Sequence, residues 1–180
     1  FSWRLSTPLS NFEAGLDYRD VDDPALTLRF ELLGREKEYL LVWTTTPWTL
    51  PSNLAVAVGA ELDYVKVQHE DGNAYWVAQA LKASLLGEET PVLETKKGSE
   101  LVGLMYRPLF PYFASHPNSF RVIASGHVTT TDGTGLVHMA PAFGADDFEA
   151  CRREGIAVID PVDDEGRFKK EVPDYAGKNI

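Results

Sequence analysis

Along LTLRFEL (26–32), apolar and polar positions alternate strictly, the signature of a half-buried strand. A polar turn leads from it into a second apolar run ending in threonines, so residues 26–45 predict a β-hairpin. NLAVAVG (53–59) and YVKVQHE (64–70) predict two further strands, and the DGN at 71–73 is a turn signal before another, AYWVAQ. Residues 78–87, AQALKASLLG, have the makings of a short helix closed by Gly87. PVLETKKGSELVGLMY (91–106) predicts strand, loop and strand, punctuated by Gly98 and Gly103. Residues 120–141 predict a strand, a glycine-rich turn at 132–135 and a strand running into His138. GADDFEACRREG (144–155) predicts a second helix: Asp146 and Asp147 lie in its first turn, Arg152 and Arg153 near its end, and Gly155 closes it. From Ile156, IAVIDPVDDEGRF predicts a buried strand and then a polar turn. The first two dozen residues keep no period and predict an arm. Many short strands with two short helices predict an α+β, mainly β fold on a closed or nearly closed β-barrel-like core. The expected division is an entry arm at 1–25 and one domain at 26–180.

Composition narrows the function classes. The 180 residues are 44% apolar, ordinary for a globular chain and too apolar for disorder. The net charge of -10 argues against an extensive phosphate-tracking surface, though not against contact with a single-stranded end. Cys151 is the one cysteine, which excludes an internal disulfide and a multi-cysteine zinc site. No apolar run approaches the ~20 residues of a membrane span. A chain that starts at Phe1 with no signal peptide is expected to be a segment of a longer cytoplasmic protein.

Two stretches carry candidate chemistry. In WTTTPWTLPSN (43–53), the hydroxyls of Thr44, Thr45 and Thr46 meet prolines that lack an N–H and stop a ladder. Such a run reads either as a threonine-rich edge strand or as a polar cradle for an ester carbonyl or a water. The second is His138 with the acidic pair at the helix start. The pair reads either as an N-cap plus dipole decoration, or as one cap and one outward carboxylate that holds an ammonium group. The four histidines are scattered without metal-site spacing, and no nucleophile elbow, Walker A loop, G-x-G-x-x-G or H-E-x-x-H occurs.

WTTTPWTLPSN together with DGTGLVHMAPAFGADDF (132–148) resembles the editing domain inserted in isoleucyl-tRNA synthetases, of the class I aminoacyl-tRNA synthetases, and STPLSNFE (6–13) resembles the segment leading into it. The likeness covers essentially the whole chain. The leucine and valine enzymes typically carry Thr-Thr-Arg-Pro, an acid and Thr where this chain has Thr44, Thr45, Thr46, Pro47, Trp48 and Thr49, and usually lack a histidine at the position of His138. His-x-Gly-His and Lys-Met-Ser-Lys-Ser, the synthetic-site signatures, are absent from the chain.

The resemblance implies a hydrolase that deacylates Val-tRNA(Ile), helps clear valyl-adenylate and rejects isoleucine by size. Isoleucine against valine is itself the familiar illustration of a methylene that binding alone discriminates weakly, so that a second sieve is needed. It implies that Asp147 holds the substrate ammonium and that Thr44 lines the scissile ester. Thr45 and Thr46 would order water or carbonyl, as the catalytic pair. Trp48 and His138 would bound the pocket, Thr49 would stand at a specificity position, and Asn53 at one linked to editing. No metal or cofactor is expected in this domain, since ATP, Mg and any Zn belong to the rest of the enzyme. The expected partners are the tRNA(Ile) 3′ end carrying valine, valine itself and the remainder of the synthetase, with no membrane, in a monomer. A terminal ribose hydroxyl of the tRNA is expected to help activate the water. A rival reading is a non-catalytic module that binds an amino acid or a charged tRNA end; others are a valyl or leucyl editing domain, or a purely structural barrel.

Overall fold

The computed structural model describes residues 7–16, 22 and 24–180. Its contacts divide the chain into two units, Ala25–Ile159 and a smaller one made of Phe1–Pro24 with Asp160–Ile180. Parts of the predicted entry arm (1–6, 17–21 and 23) lie outside the described residues.

The larger unit is built on one sheet. β1 (Leu26–Glu31) and β2 (Glu38–Thr44) form the predicted hairpin, with Leu26 opposite Thr44. β3 (Ala55–Val58), β4 (Asp63–Gln68), β5 (Ala74–Ala78), β6 (Val92–Lys97), β7 (Arg121–Ala124) and β8 (Leu136–Met139) complete it, in the order β6-β4-β5-β2-β8-β3-β7 with β1 added on β2. β3 is buried along its whole length because it lies between β8 (antiparallel) and β7 (parallel), which suits its unbroken apolar run AVAV.

Residues 104–107 join the two ends of part of this sheet. On one side the Tyr106 N–H donates to Phe120 C=O and the Val122 N–H to Leu104 C=O. On the other, the Arg107 N–H donates to Glu31 C=O and the Leu33 N–H to Met105 C=O. The bonding therefore runs from β1 through β2, β8, β3 and β7 back to β1, and gives the barrel-like core. Tyr106, Phe30, Val42, Ile123 and Met139 are fully buried within it.

Several elements differ from the sequence expectation. The predicted helix at 78–87 splits into a 3₁₀ turn (Gln79–Leu81) and α2 (Lys82–Leu86), with Gly87 capping at φ 90°. The region after Gly98 forms a one-turn helix, α3 (Gly98–Leu101), then isolated bridges in place of a full strand. Gly98 has no room for a side chain, since a Cβ there would stand 2.1 Å from Gly59 O. Residues 156–159 form no strand. The helix α4 (Ala145–Arg153) ends in a Schellman motif, with Gly155 at φ 68° and the Ile156 N–H turned back to Cys151 C=O, which spends the first N–H of the expected strand.

The smaller unit contains α1 (Asn11–Gly15), started by a capping box between Ser10 and Glu13. The polar turn predicted after residue 160 is present: the Asp163 carboxylate accepts the Glu165 and Arg167 N–H groups. Among the described residues, no helix is long and apolar enough to cross a membrane.

Candidate active site

The threonine run leaves the sheet at Thr44, not at Thr45 as predicted. The cause is local: the Thr44 hydroxyl accepts the Thr46 N–H at 3.1 Å and so takes a donor that a ladder would need. Pro47 then opens a 3₁₀ helix, Pro47–Ser52, at the position where its missing N–H costs nothing. Thr49, buried on this helix, donates its hydroxyl back to Thr46 C=O at 2.8 Å. Thr45 and Thr46 are exposed. Among the described residues, the Thr46 hydroxyl has its hydroxyl neighbours, Thr44 and Thr49, at 3.4 Å.

The second predicted motif packs beside the first. β8 pairs with β2 through Val137 and Trp43, and α4 follows β8. The α4 N-cap is Gly144 in extended conformation, so neither Asp146 nor Asp147 is the cap, and the capping aspartate that both readings of the pair assumed is corrected. Asp146 is exposed. The Asp147 carboxylate reaches back across the turn and accepts the Ala140 N–H at 2.8 Å. A Cβ at Gly144 would stand 3.1 Å from Asp147 Cγ, so the small cap leaves that carboxylate its place. Among the described residues no lysine or arginine pairs with Asp147. Burial pushes its carboxyl up from the usual range, against the Ala140 N–H and His127, which favour the anion.

Between the motifs lies a cavity of about 290 Å³. Thr44, Thr45, Thr46 and Thr49 line it on the first motif, His138 and Asp147 on the second. Trp48 also lines it and meets Phe143 edge-on, with centroids 4.9 Å apart. Seven of the eight predicted site residues thus meet at one cavity. Asn53 is the exception: it is buried behind His138 and does not reach the cavity wall.

His138 is held at both ring nitrogens. Nε2 lies 2.6 Å from the Thr49 hydroxyl oxygen, and Nδ1 lies 3.0 Å from Asn53 Nδ2. The partners fix the proton. Asn53 Nδ2 also donates to Ala55 C=O at 2.9 Å, and its Oδ1 accepts the Tyr106 hydroxyl at 2.7 Å, so the amide presents N–H to His138. Nδ1 is then an acceptor and Nε2 carries the hydrogen. The Thr49 hydroxyl, its own hydrogen given to Thr46, accepts it. A second ring proton would face the Asn53 N–H. Burial moreover pushes the His138 pKa down to about 4, so the ring is neutral at pH 7. With both nitrogens engaged, His138 is a fixed surface and not a base open to the cavity.

Phe143, Gly144, Ala140 and Tyr106 escaped the sequence analysis. Phe143 and Gly144 stand within the second motif and were there to be read. Ala140 acts through its backbone alone. Tyr106 lies 53 residues from the partner it serves, with no local pattern to mark it.

No protein-family model matches the chain. It is 54% identical, over its whole length, to the isoleucine–tRNA ligase of Bdellovibrio bacteriovorus, and 49% identical over 98% of its length to the cytoplasmic isoleucine–tRNA ligase of Saccharomyces cerevisiae. It spans about 18% of the length of each. In fold it is similar to the crystal structure of GlLeuRS-CP1 (TM-score 0.62, 17% identity, 77% of this chain and 69% of that one). It is also similar to the editing domain of the P. knowlesi cytosolic leucyl-tRNA synthetase (TM-score 0.58, 13% identity, 73% and 63%). The chain belongs to the isoleucine–tRNA ligase family, as a segment with the synthetase editing-domain fold.

Proposed function

We propose that this chain hydrolyses the ester of Val-tRNA(Ile), helps to clear valyl-adenylate and spares isoleucine by size. The observation that carries this reading is Asp147, a half-buried carboxylate without a lysine or arginine partner among the described residues, on the same cavity as the open hydroxyls of Thr45 and Thr46. A carboxylate placed so is suited to an α-ammonium group, and hydroxyls beside it to an ester carbonyl or a water. The cavity is at the small end of ligand sites, which suits an aminoacyl group better than a whole nucleotide.

Asp147, Thr44 and Thr49 would position the substrate, and Thr45 and Thr46 would order the water or the carbonyl oxygen. Trp48 and His138 would form the size limit. Since both nitrogens of His138 are engaged, it is not assigned as the base; a terminal ribose hydroxyl of the tRNA would help to activate the ordered water, taking its proton while passing its own to the departing ribose oxygen. The partners are the charged 3′ end of tRNA(Ile) and the remainder of the synthetase, in the compartment after which the yeast relative is named. No metal or cofactor enters the proposed step.

Deacylation of Val-tRNA(Ile) and Ile-tRNA(Ile), measured side by side, tests the proposal. Turnover of the valyl ester with the isoleucyl ester spared is the expected result. Retention of either ligand without hydrolysis would instead favour a binding module.

A further inference from the structure

We propose that Tyr106 is a positioning residue which, acting through Asn53, fixes the tautomer and ring plane of His138 and thereby the size limit of the cavity. The tautomer half stands on geometry alone, while the size-limit half rests on the editing function proposed above.

Tyr106 is far from the cavity in sequence and does not line it. Its backbone belongs to the segment that closes the barrel, bridged to Leu32 on one side and bonded to Phe120 on the other. Its ring is fully buried and meets two aromatic rings edge-on, Phe30 at 5.1 Å and Phe120 at 6.2 Å. A phenol clamped between two sides of a barrel keeps its oxygen in one place, and a buried hydroxyl needs a partner. That partner is Asn53 Oδ1, at 2.7 Å.

The amide of Asn53 has three polar contacts and one orientation that satisfies them. Oδ1 takes the Tyr106 hydrogen, one Nδ2 hydrogen goes to Ala55 C=O, and the other goes to His138 Nδ1. From Tyr106 to Thr46 C=O the donors then run in one direction, through Asn53, His138 and Thr49. Without the phenol hydrogen, Oδ1 is a buried acceptor with no partner, and an amide in that state gains by rotating or by admitting water. Either change frees the imidazole to adopt its other tautomer and to tilt. A wall that excludes one methylene has to be fixed to well under the size of a methyl group. The side chains in contact with the imidazole nitrogens, Asn53 and Thr49, are both buried and neutral.

Two variants of the full 180-residue chain test this. Long-range ¹H–¹⁵N NMR couplings report which nitrogen of His138 carries the hydrogen. The wild-type chain is expected to show the Nε2–H tautomer alone. Tyr106→Phe, which retains the ring and its packing, is expected to show both tautomers; a single unchanged Nε2–H tautomer would overturn the proposal. Asn53→Asp offers only acceptors to Nδ1 and is expected to move the hydrogen there, and a hydrogen still confined to Nε2 would equally overturn it. In parallel, Tyr106→Phe is expected to raise the ratio of Ile-tRNA(Ile) to Val-tRNA(Ile) deacylation about tenfold, the loss of roughly one net hydrogen bond, with kcat/KM for the valyl ester little changed. A mixed tautomer with an unaltered ratio would overturn the size-limit half. If the wild-type chain hydrolyses neither ester, the editing function fails, and the NMR result still decides the tautomer.

Discussion

His138 and Thr49, 89 residues apart, face each other at 2.6 Å and join β8 to the 3₁₀ helix across one wall of the cavity. The Thr49 hydroxyl is engaged on both sides: it accepts from the ring and donates to Thr46 C=O. Thr49→Val retains the shape but leaves the buried ring N–H without its acceptor, while Thr46 C=O keeps the Thr49 backbone N–H. It is expected to lose about 1–3 kcal/mol of stability, read from the urea midpoint. Thr49→Ser retains the hydroxyl and should recover most of that loss. Equal loss in the two variants would mean that the methyl group and not the hydroxyl matters.

Asp147 accepts the Ala140 N–H and is also the proposed anchor of the substrate ammonium, and the variants separate the two. Asp147→Ala removes the carboxylate proposed to face the ammonium group and also strands the Ala140 N–H. Asp147→Asn keeps an oxygen for Ala140 and removes only the charge. The asparagine variant should therefore fold as the wild type while its affinity for the aminoacyl ester falls about ten- to a hundredfold, the loss of a charge-assisted bond. Asp146, exposed and not the cap, should cost only the dipole term of about 0.3–1 kcal/mol when replaced by alanine, with hydrolysis intact. Loss of hydrolysis in a folded Asp146→Ala protein would reverse the assignment of the pair.

These two residues also mark how far the sequence could be read. The alternation at 26–32, the DGN turn and the helix ended by Gly155 each report a local force, and each forms where expected. The failures come where side chains compete with backbone. The Thr44 hydroxyl captures an N–H and ends the strand early, and the Asp147 carboxylate is drawn away from its own helix terminus to Ala140. Neither choice is visible in propensity, because it depends on what the fold brings near. The gathering of Thr44, Thr49, His138 and Asp147 at one cavity was likewise implied only by the resemblance of two motifs. Asn53 and Tyr106, which hold His138 from behind, join the site through contacts 85 and 53 residues long.

Thr45 and Thr46 offer hydroxyls that the fold barely uses. Replacing both by alanine should leave stability within about 0.5 kcal/mol, as for exposed positions away from special features. If they stabilise the transition state more than the bound ester, single-turnover deacylation should slow while ligand affinity is retained. A parallel fall in both would reduce the run to a shape-setting role.

The buried imidazole makes stability depend on pH. In the folded chain the His138 pKa is about 4, against roughly 6.5 for an unfolded histidine. Between those values the unfolded chain binds more protons, so this contribution rises with pH. It is complete above about pH 6.5 and is lost as the pH falls towards 4, on the order of 3 kcal/mol in all. Urea unfolding at pH 7 and pH 4.5 should show that fall in the wild type and a smaller one in His138→Ala. An equal fall in both would assign the acid sensitivity to other groups.

The final prediction decides what the imidazole does for the substrate. Isoleucine exceeds valine by one methylene, which in an open apolar site would add about 0.8 kcal/mol of binding. Exclusion therefore needs a wall that does not yield, and His138 is tied by Thr49 on one side and by Asn53, itself tied to Tyr106, on the other. His138→Ala removes the ring and makes room beside Val137 and Thr49. It should then hydrolyse Ile-tRNA(Ile) while retaining activity on Val-tRNA(Ile). A histidine acting as the base would give the opposite pattern, with the valyl ester spared and no gain on the isoleucyl ester. The wild-type ring, neutral and with both nitrogens occupied, has no lone pair to offer a water, so the first pattern is the expected one. A folded His138→Ala protein inactive on both esters would overturn the wall and return His138 to the chemistry.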